Sequence, residues 1–171
     1  MSVGNAQQQL LAGKCHNPLE TLGPQYRDKR VSWRALLPFA CDATLQGTKE
    51  RSFEMQRIDD SAIFEWTGKA KKLPKHPHIR WRDDSGNEYT VQDPYSFEPT
   101  LATHDLERFS RGASFDAYRF MGAHVRDIDE VQGVQFAVWA PNARRVSVIG
   151  DFNRWHGLAH PMQNCGDSGV W

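Results

Sequence analysis

Two adjacent acidic pairs, Asp59-Asp60 and Asp83-Asp84, stand out first as groups that could move protons. General acid–base work needs carboxyls that face a substrate, or one another, across a rigid site. Chain neighbours in short polar runs beside Ser or Gly read instead as solvated turn residues. His76 and His78 lie in KKLPKHPHIRW, residues 71–81. A metal is conceivable there, but no third or fourth ligand stands nearby at motif spacing, so the run reads as a solvated basic loop. Cys15-His16 is a lone pair and reads as a buried thiol beside a capping imidazole rather than a nucleophile and its base. No catalytic residue, metal or cofactor is assigned.

GDFNRW, residues 150–155, offers a different chemistry. Aromatic rings stack on the apolar faces of pyranose sugars, while Asp and Asn side chains bond the hydroxyls. Trp139, Asp151, Phe152, Asn153 and Trp155 are therefore the candidate carbohydrate-binding residues. The same side chains suit packing: Trp139 lies in a strand pattern, and Phe152 and Trp155 could dock against another domain. Core, docking and sugar-stacking roles all stay open.

These residues need strands to hold them. From Val31, VSWRALLPFACDATLQG reads as strand, Pro-containing turn and strand, and SAIFEW as a further short strand. HIRWRDDSGNEYTVQD reads as a hairpin turning at Ser85-Gly86-Asn87, with Ile79, Trp81, Tyr89 and Val91 at alternate positions. Pro94 and Pro99 end that pattern. Leu101, Leu106 and Phe109 ahead of Gly112 predict a short amphipathic helix with a glycine stop. VQFAVWAPNARRVSVIGDFNRW then reads again as strand, Pro-Asn turn and strand, with Arg144-Arg145 in solvent.

The two halves align with one another. VSWRALLPFACDATLQG matches VQFAVWAPNARRVSVIG without a gap at an offset of 103 residues, with Val31/Val134, Pro38/Pro141, Ala40/Ala143 and Gly47/Gly150 identical. Upstream, Leu22-Gly23-Pro24 resembles Met121-Gly122-Ala123; downstream, DDSAIF from Asp59 resembles GDSGVW from Gly166. Three blocks in one order indicate two copies of one module. The expected fold class is all-β: two tandem immunoglobulin-like β-sandwich modules joined by a short helical connector. The expected organisation is a polar tail over 1–14, a frayed segment or one helical turn, then a first module over 15–100, a connector over 101–117 and a partial second module over 118–171. The second copy ends where the first continues into its hairpin, so it is expected to be truncated and to leave an open sheet edge.

The segments YRFMGAH, GVQFAVWAPNARRVSVIGDFNRWHGLAHPM and GVW closely resemble the sandwich module ahead of the barrel in glycogen branching enzymes of the α-amylase superfamily. HNPLETLGPQ from His16 looks like the H-D-P-x-x-x-L-G-x-H opening of the extra amino-terminal module of the longer bacterial enzymes, and DPYSFEPTLATHDLERFSRGASFDAYRFMGAH looks like their connector. The resemblance covers roughly 14–171 and is strongest after Asp93. Asn17 stands for the usual Asp, Gln25 for the usual His, and Cys41-Asp42-Ala43 breaks the usual turn. The resemblance implies an enzyme that cuts α-1,4-glucan chains and rejoins them through α-1,6 bonds, a chemistry of paired carboxyls on barrel strands. None of the family's barrel motifs occurs here. The implied role of this chain is to assist glucan binding and chain-length selection and to dock on the catalytic domain. A related debranching or trehalose-releasing enzyme, or a free-standing glycogen-binding protein, are the alternatives.

Bulk properties agree. At 171 residues the chain is too short for a barrel of roughly 250 residues. Lys plus Arg equals Asp plus Glu at 21 each, so no global field draws in nucleic acid or a membrane surface, and neutral maltooligosaccharide or glycogen fits as the ligand. Three widely spaced cysteines argue against a disulfide framework, and with no secretory signal apparent the expected location is the cytoplasm.

Overall fold

The computed structural model describes residues 4–171. Seven antiparallel strands open the fold: β1 (Gly23–Arg27), β2 (Arg30–Leu36), β3 (Asp42–Gln46), β4 (Ser52–Arg57), β5 (Ile63–Lys69), β6 (His78–Arg82) and β7 (Glu88–Gln92). They hydrogen-bond in the order β1-β2-β5-β4-β3-β6-β7. In a flat sheet β2 and β6, four places apart, would lie roughly 19 Å from one another at about 4.8 Å per strand. Yet Val31, Trp33 and Ala35 of β2 share one buried cluster with Ala43, Leu45, Met55 and Ile79. The sheet therefore folds over on itself, at the β4–β5 seam where only Gln56↔Glu65 and Arg57↔Phe64 pair. Period-two alternation produces this: every second residue of β2 is buried. A bond from Trp33 Nε1 to Asp93 Oδ2 (2.6 Å) ties the two layers together inside the core.

The hairpin is as expected, with His78↔Gln92 through Arg82↔Glu88 paired. Of the two alternatives for the opening segment, the described part takes the helical one: Asn5–Leu11 is helix α1. Its Leu10 is 3% exposed and belongs to a second apolar cluster with Leu22, Leu36, Ile58 and Ile63. So short a helix is marginal in isolation, and burial of Leu10, with Leu11 packed beside it, helps to hold it here. The connector carries helix α2 (Thr103–Ser110), stopped at Gly112 with φ +68°. Phe109 meets Phe120 and Trp139 edge-on.

The second copy opens with β8 (Gly122–Ile128) and β9 (Val131–Ala137). Its pairings repeat those of the first copy residue for residue. Gly23↔Arg34 becomes Gly122↔Ala137, Leu36↔Ile63 becomes Trp139↔Val170, and Thr44↔Glu54 becomes Ser147↔Pro161. Leu37 N bonds Ala62 O as Ala140 N bonds Gly169 O, and Ser61 Oγ accepts from Ile63 N as Ser168 Oγ does from Val170 N. The second strand expected within 145–149 is a correction: it is reduced to one bridge, at Ser147. Pro161, standing where Glu54 stands in the first copy, has no N–H for a ladder.

The copies pack against each other. Tyr95 Oη donates to Pro161 O (3.0 Å), and Asn164 N to His16 O (2.8 Å). His76 corrects the solvated-loop reading. It stacks on Phe97 at 4.0 Å, lies 3.0 Å from Ser96 Oγ through Nδ1, and meets Asp129 of the second copy through Nε2 (3.0 Å). Among the described residues no cluster of three or more His, Cys, Asp or Glu is placed to hold a metal, and no helix is long and apolar enough to cross a membrane.

Candidate functional site

The loop 150–155 is closed by Trp155 N bonding Gly150 O (2.9 Å). The Phe152 ring folds back over Gly150, where a Cβ would stand 2.7 Å from it. Asn153 is 5% exposed and spends its amide inside the loop. Its Oδ1 accepts from Gly150 N, and its Nδ2 donates to Val148 O and to His160 Nδ1 (2.8 and 2.9 Å). A buried amide satisfied by loop atoms in this way holds the loop's shape. The bond to Nδ1 leaves the His160 proton on Nε2, and burial holds its pKa below the ordinary imidazole value.

Phe152 and Trp155 point outward, 63% and 64% exposed. Asp151 Oδ1 accepts the Trp155 indole N–H at 2.8 Å, fixing the ring while its faces stay open. Phe152 lies edge-on to His160 at 5.3 Å and borders a cleft of about 210 Å³ shared with Phe39, Trp81 and Tyr95 of the first copy. Trp139 stands apart from this constellation. It is 57% exposed and lies over Gly169, edge-on to Phe109 of α2 at 6.3 Å.

Of the acidic pairs, Asp59 and Asp60 occupy a left-handed turn, with φ +43° and +50°. Asp83 departs from the solvated reading. Its side chain is 4% exposed and accepts from Arg154 Nη2 at 2.7 Å, which, with Asn87 and Tyr89, holds its carboxyl well below the usual carboxylate range. Cys15 has its thiol pKa raised by burial, the opposite of an activated nucleophile.

Two family models divide the chain. Residues 5–95 match the alpha-1,4-glucan branching enzyme GlgB, N-terminal domain, and residues 120–171 match carbohydrate-binding module 48 (isoamylase N-terminal domain). The chain belongs to the GlgB amino-terminal family. The 1,4-alpha-glucan branching enzyme GlgB of Nitrosococcus oceani is 44% identical over 162 residues, covering 94% of this chain and 21% of that protein. The GlgB of Hydrogenovibrio crunogenus is 41% identical over 169 residues, covering 97% and 23%. The chain thus spans about a fifth of the length of the curated relatives it matches. A pullulanase from Paenibacillus barengoltzii, solved with maltohexaose and alpha-cyclodextrin, covers 74% of this chain and 20% of its own at 14% identity and a TM-score of 0.38. The candidate loop lies wholly within the module-48 match of this GlgB-family chain.

Sequence reasoning missed Arg154 and His160. The interior Arg of GDFNRW was legible as a charge between two aromatics; its destination, 71 residues upstream, was not.

Proposed function

We propose that this chain is the non-catalytic front region of a glycogen branching enzyme whose whole form cleaves α-1,4-glucan chains and reattaches them through α-1,6 bonds in the cytoplasm. Within it, Trp155 and Phe152, with Asp151 orienting the indole, contact α-glucan or maltooligosaccharide. The observation that carries this reading is an exposed indole whose only polar atom is already bonded inside its own loop. Such a ring has faces free to stack on a pyranose. The module-48 match over the same residues supports the ligand class. Exposed Phe115, Tyr118 and Val125 supply apolar surface for docking to the catalytic domain, and the front region contributes to chain-length selection. The chain alone has no branching activity, since the chemistry needs two carboxyls about 5 Å apart on a barrel and Asp83 is committed to Arg154.

The test is titration of the chain with maltoheptaose followed by calorimetry, with Trp155→Ala as the variant and thermal melting as the folding control. A loss of at least about fivefold in affinity with an unchanged melt is expected, by analogy with the roughly 1–3 kcal/mol that a stacking aromatic contributes per nucleobase. Undiminished affinity in the folded variant removes Trp155 from the ligand site.

A further inference from the structure

We propose that Arg154 is the positioning residue of this platform, plugging the sugar-facing loop into a socket on the first copy so that Phe152 and Trp155 are held open to ligand. The proposal rests on the platform reading above. The socket is built on the β6–β7 hairpin. Asp83 Oδ1 accepts from Ser85 N (3.1 Å) and Asn87 N (2.9 Å), and Oδ2 from Asn87 Nδ2 (3.2 Å) and Tyr89 Oη (3.1 Å). The carboxylate is therefore aimed by its own turn, independently of the second copy. A carboxylate so deeply set requires a counter-charge, and Arg154 supplies it across the gap between copies.

Three rings complete the socket. The Arg154 guanidinium lies 4.8 Å from the Phe39 ring, 5.2 Å from Tyr89 and 5.9 Å from Trp81, and Trp81 and Tyr89 are themselves stacked at 4.3 Å. Nη2 donates to Asp83 Oδ2 and to Tyr89 Oη, each at 2.7 Å. A planar cation can face rings and donate in its own plane at once, which an ammonium cannot, so arginine is the residue the socket selects. The next residue, His156, meets Phe39 edge-on at 5.1 Å. Arg154 and Trp155 both take left-handed φ, +54° and +57°, so the chain reverses between them. The Arg154 guanidinium is seated in the socket while Trp155 remains in solvent.

The experiment uses the full chain. Asp83→Asn keeps an oxygen for the Ser85 and Asn87 N–H groups but presents an amide where Arg154 is received; Arg154→Lys keeps the charge and loses the plane. Three quantities are read: maltoheptaose affinity, the Trp155 indole N–H resonance (assigned by its absence in Trp155→Phe), and amide exchange over 150–157 against 31–45. Each variant is expected to weaken binding about three- to tenfold, to shift the indole resonance and to speed exchange over 150–157 only, with the double variant no worse than either single one. An unmoved resonance with unchanged exchange overturns the proposal, as does lost protection over 31–45, which would make the pair a general structural prop. If Trp155→Ala leaves affinity intact, the platform reading fails by itself, and the resonance and exchange then decide whether Arg154 orders the loop.

Discussion

Val31, Trp33 and Ala35 of the first copy are 1%, 1% and 3% exposed; their counterparts Val134, Phe136 and Val138 in the second are 50%, 42% and 41% exposed. The hydrogen-bond register is the same in both. Local pairing and burial are thus separable. The register is written into the hairpins and turns of each copy, whereas burial depends on what folds over the face. In the first copy β3, β4 and β6 do so; among the described residues nothing covers the second copy's face to that extent.

The comparison breaks most visibly by truncating equivalent aromatics. Trp33→Ala is expected to cost about 3–5 kcal/mol, since it opens a cavity and removes the indole donor to Asp93 Oδ2, leaving the buried carboxyl only its bond from Tyr95 N. Phe136→Ala, at the matching position, is expected to cost about 1 kcal/mol or less. Urea unfolding of the two variants measures both. Equal costs would mean the second face is packed as tightly as the first, and the contrast would dissolve.

Acidity sharpens the same contrast, because desolvation moves a titrating group of each copy in opposite directions, Asp93 in the first and His160 in the second. Desolvation pushes Asp93 up to about 6; it depresses His160 below the ordinary value of 6.5. For Asp93 the folded state binds the proton more tightly, so its contribution to stability is fully present below about pH 3.8 and is lost as pH rises through about 6. For His160 the folded state binds the proton more weakly, so its contribution is present above about 6.5 and is lost as pH falls. Lowering pH from 7 to 5 is therefore expected to lower the amide protection factors over 148–162, taken relative to the intrinsic rate at each pH, and to leave those over 31–45 unchanged. Substituting His160→Gln should remove the acid sensitivity of the first segment. Lowered protection over both segments would show that the copies open as one unit.

Much of this arrangement was legible in the sequence because it is periodic. Alternation placed β2, β3 and β5–β7, and the glycine stop placed the end of α2. The duplication could be read because Val, Pro, Ala and Gly recur at fixed separation where turns demand them. β1, β4 and β8 were not read: GPQYR and GAHVRDI carry charged or small residues on half-solvated strands, and in SFEMQR the two apolar residues, Phe53 and Met55, alternate with charged and polar ones over too short a run to stand out. In the candidate loop, Phe152 and Trp155 were identifiable by ring type alone. The solvated readings of Asp83 and His76 failed for a shared reason: each sits in a turn-like context and meets a partner far along the chain, Arg154 and Asp129, that no local pattern encodes. Asn153 differs, because its partners Gly150, Val148 and His160 all lie close by in the chain.

The smallest expected effect lies where the copies diverge in use. Each copy follows its shared glycine, Gly47 or Gly150, with a Phe ring packed where a Cβ would otherwise stand. Each then takes two consecutive left-handed residues, Lys49 and Glu50 in the first and Arg154 and Trp155 in the second. The first loop reads GTKE and carries no aromatic; the second reads GDFNRW. Lys49→Gly relieves a left-handed side chain worth about 1 kcal/mol, but adds unfolded-state freedom worth about 0.5–1 kcal/mol. A net change within about 0.5 kcal/mol of zero in urea unfolding is expected. Arg154→Gly relieves the same backbone conformation, yet it removes the guanidinium that reaches Asp83, so maltoheptaose affinity should fall while Lys49→Gly leaves it unmoved. The two loops would then share a backbone solution and differ in what their side chains are asked to hold. A loss of affinity on Lys49→Gly equal to that on Arg154→Gly would mean that the first loop serves the ligand as well.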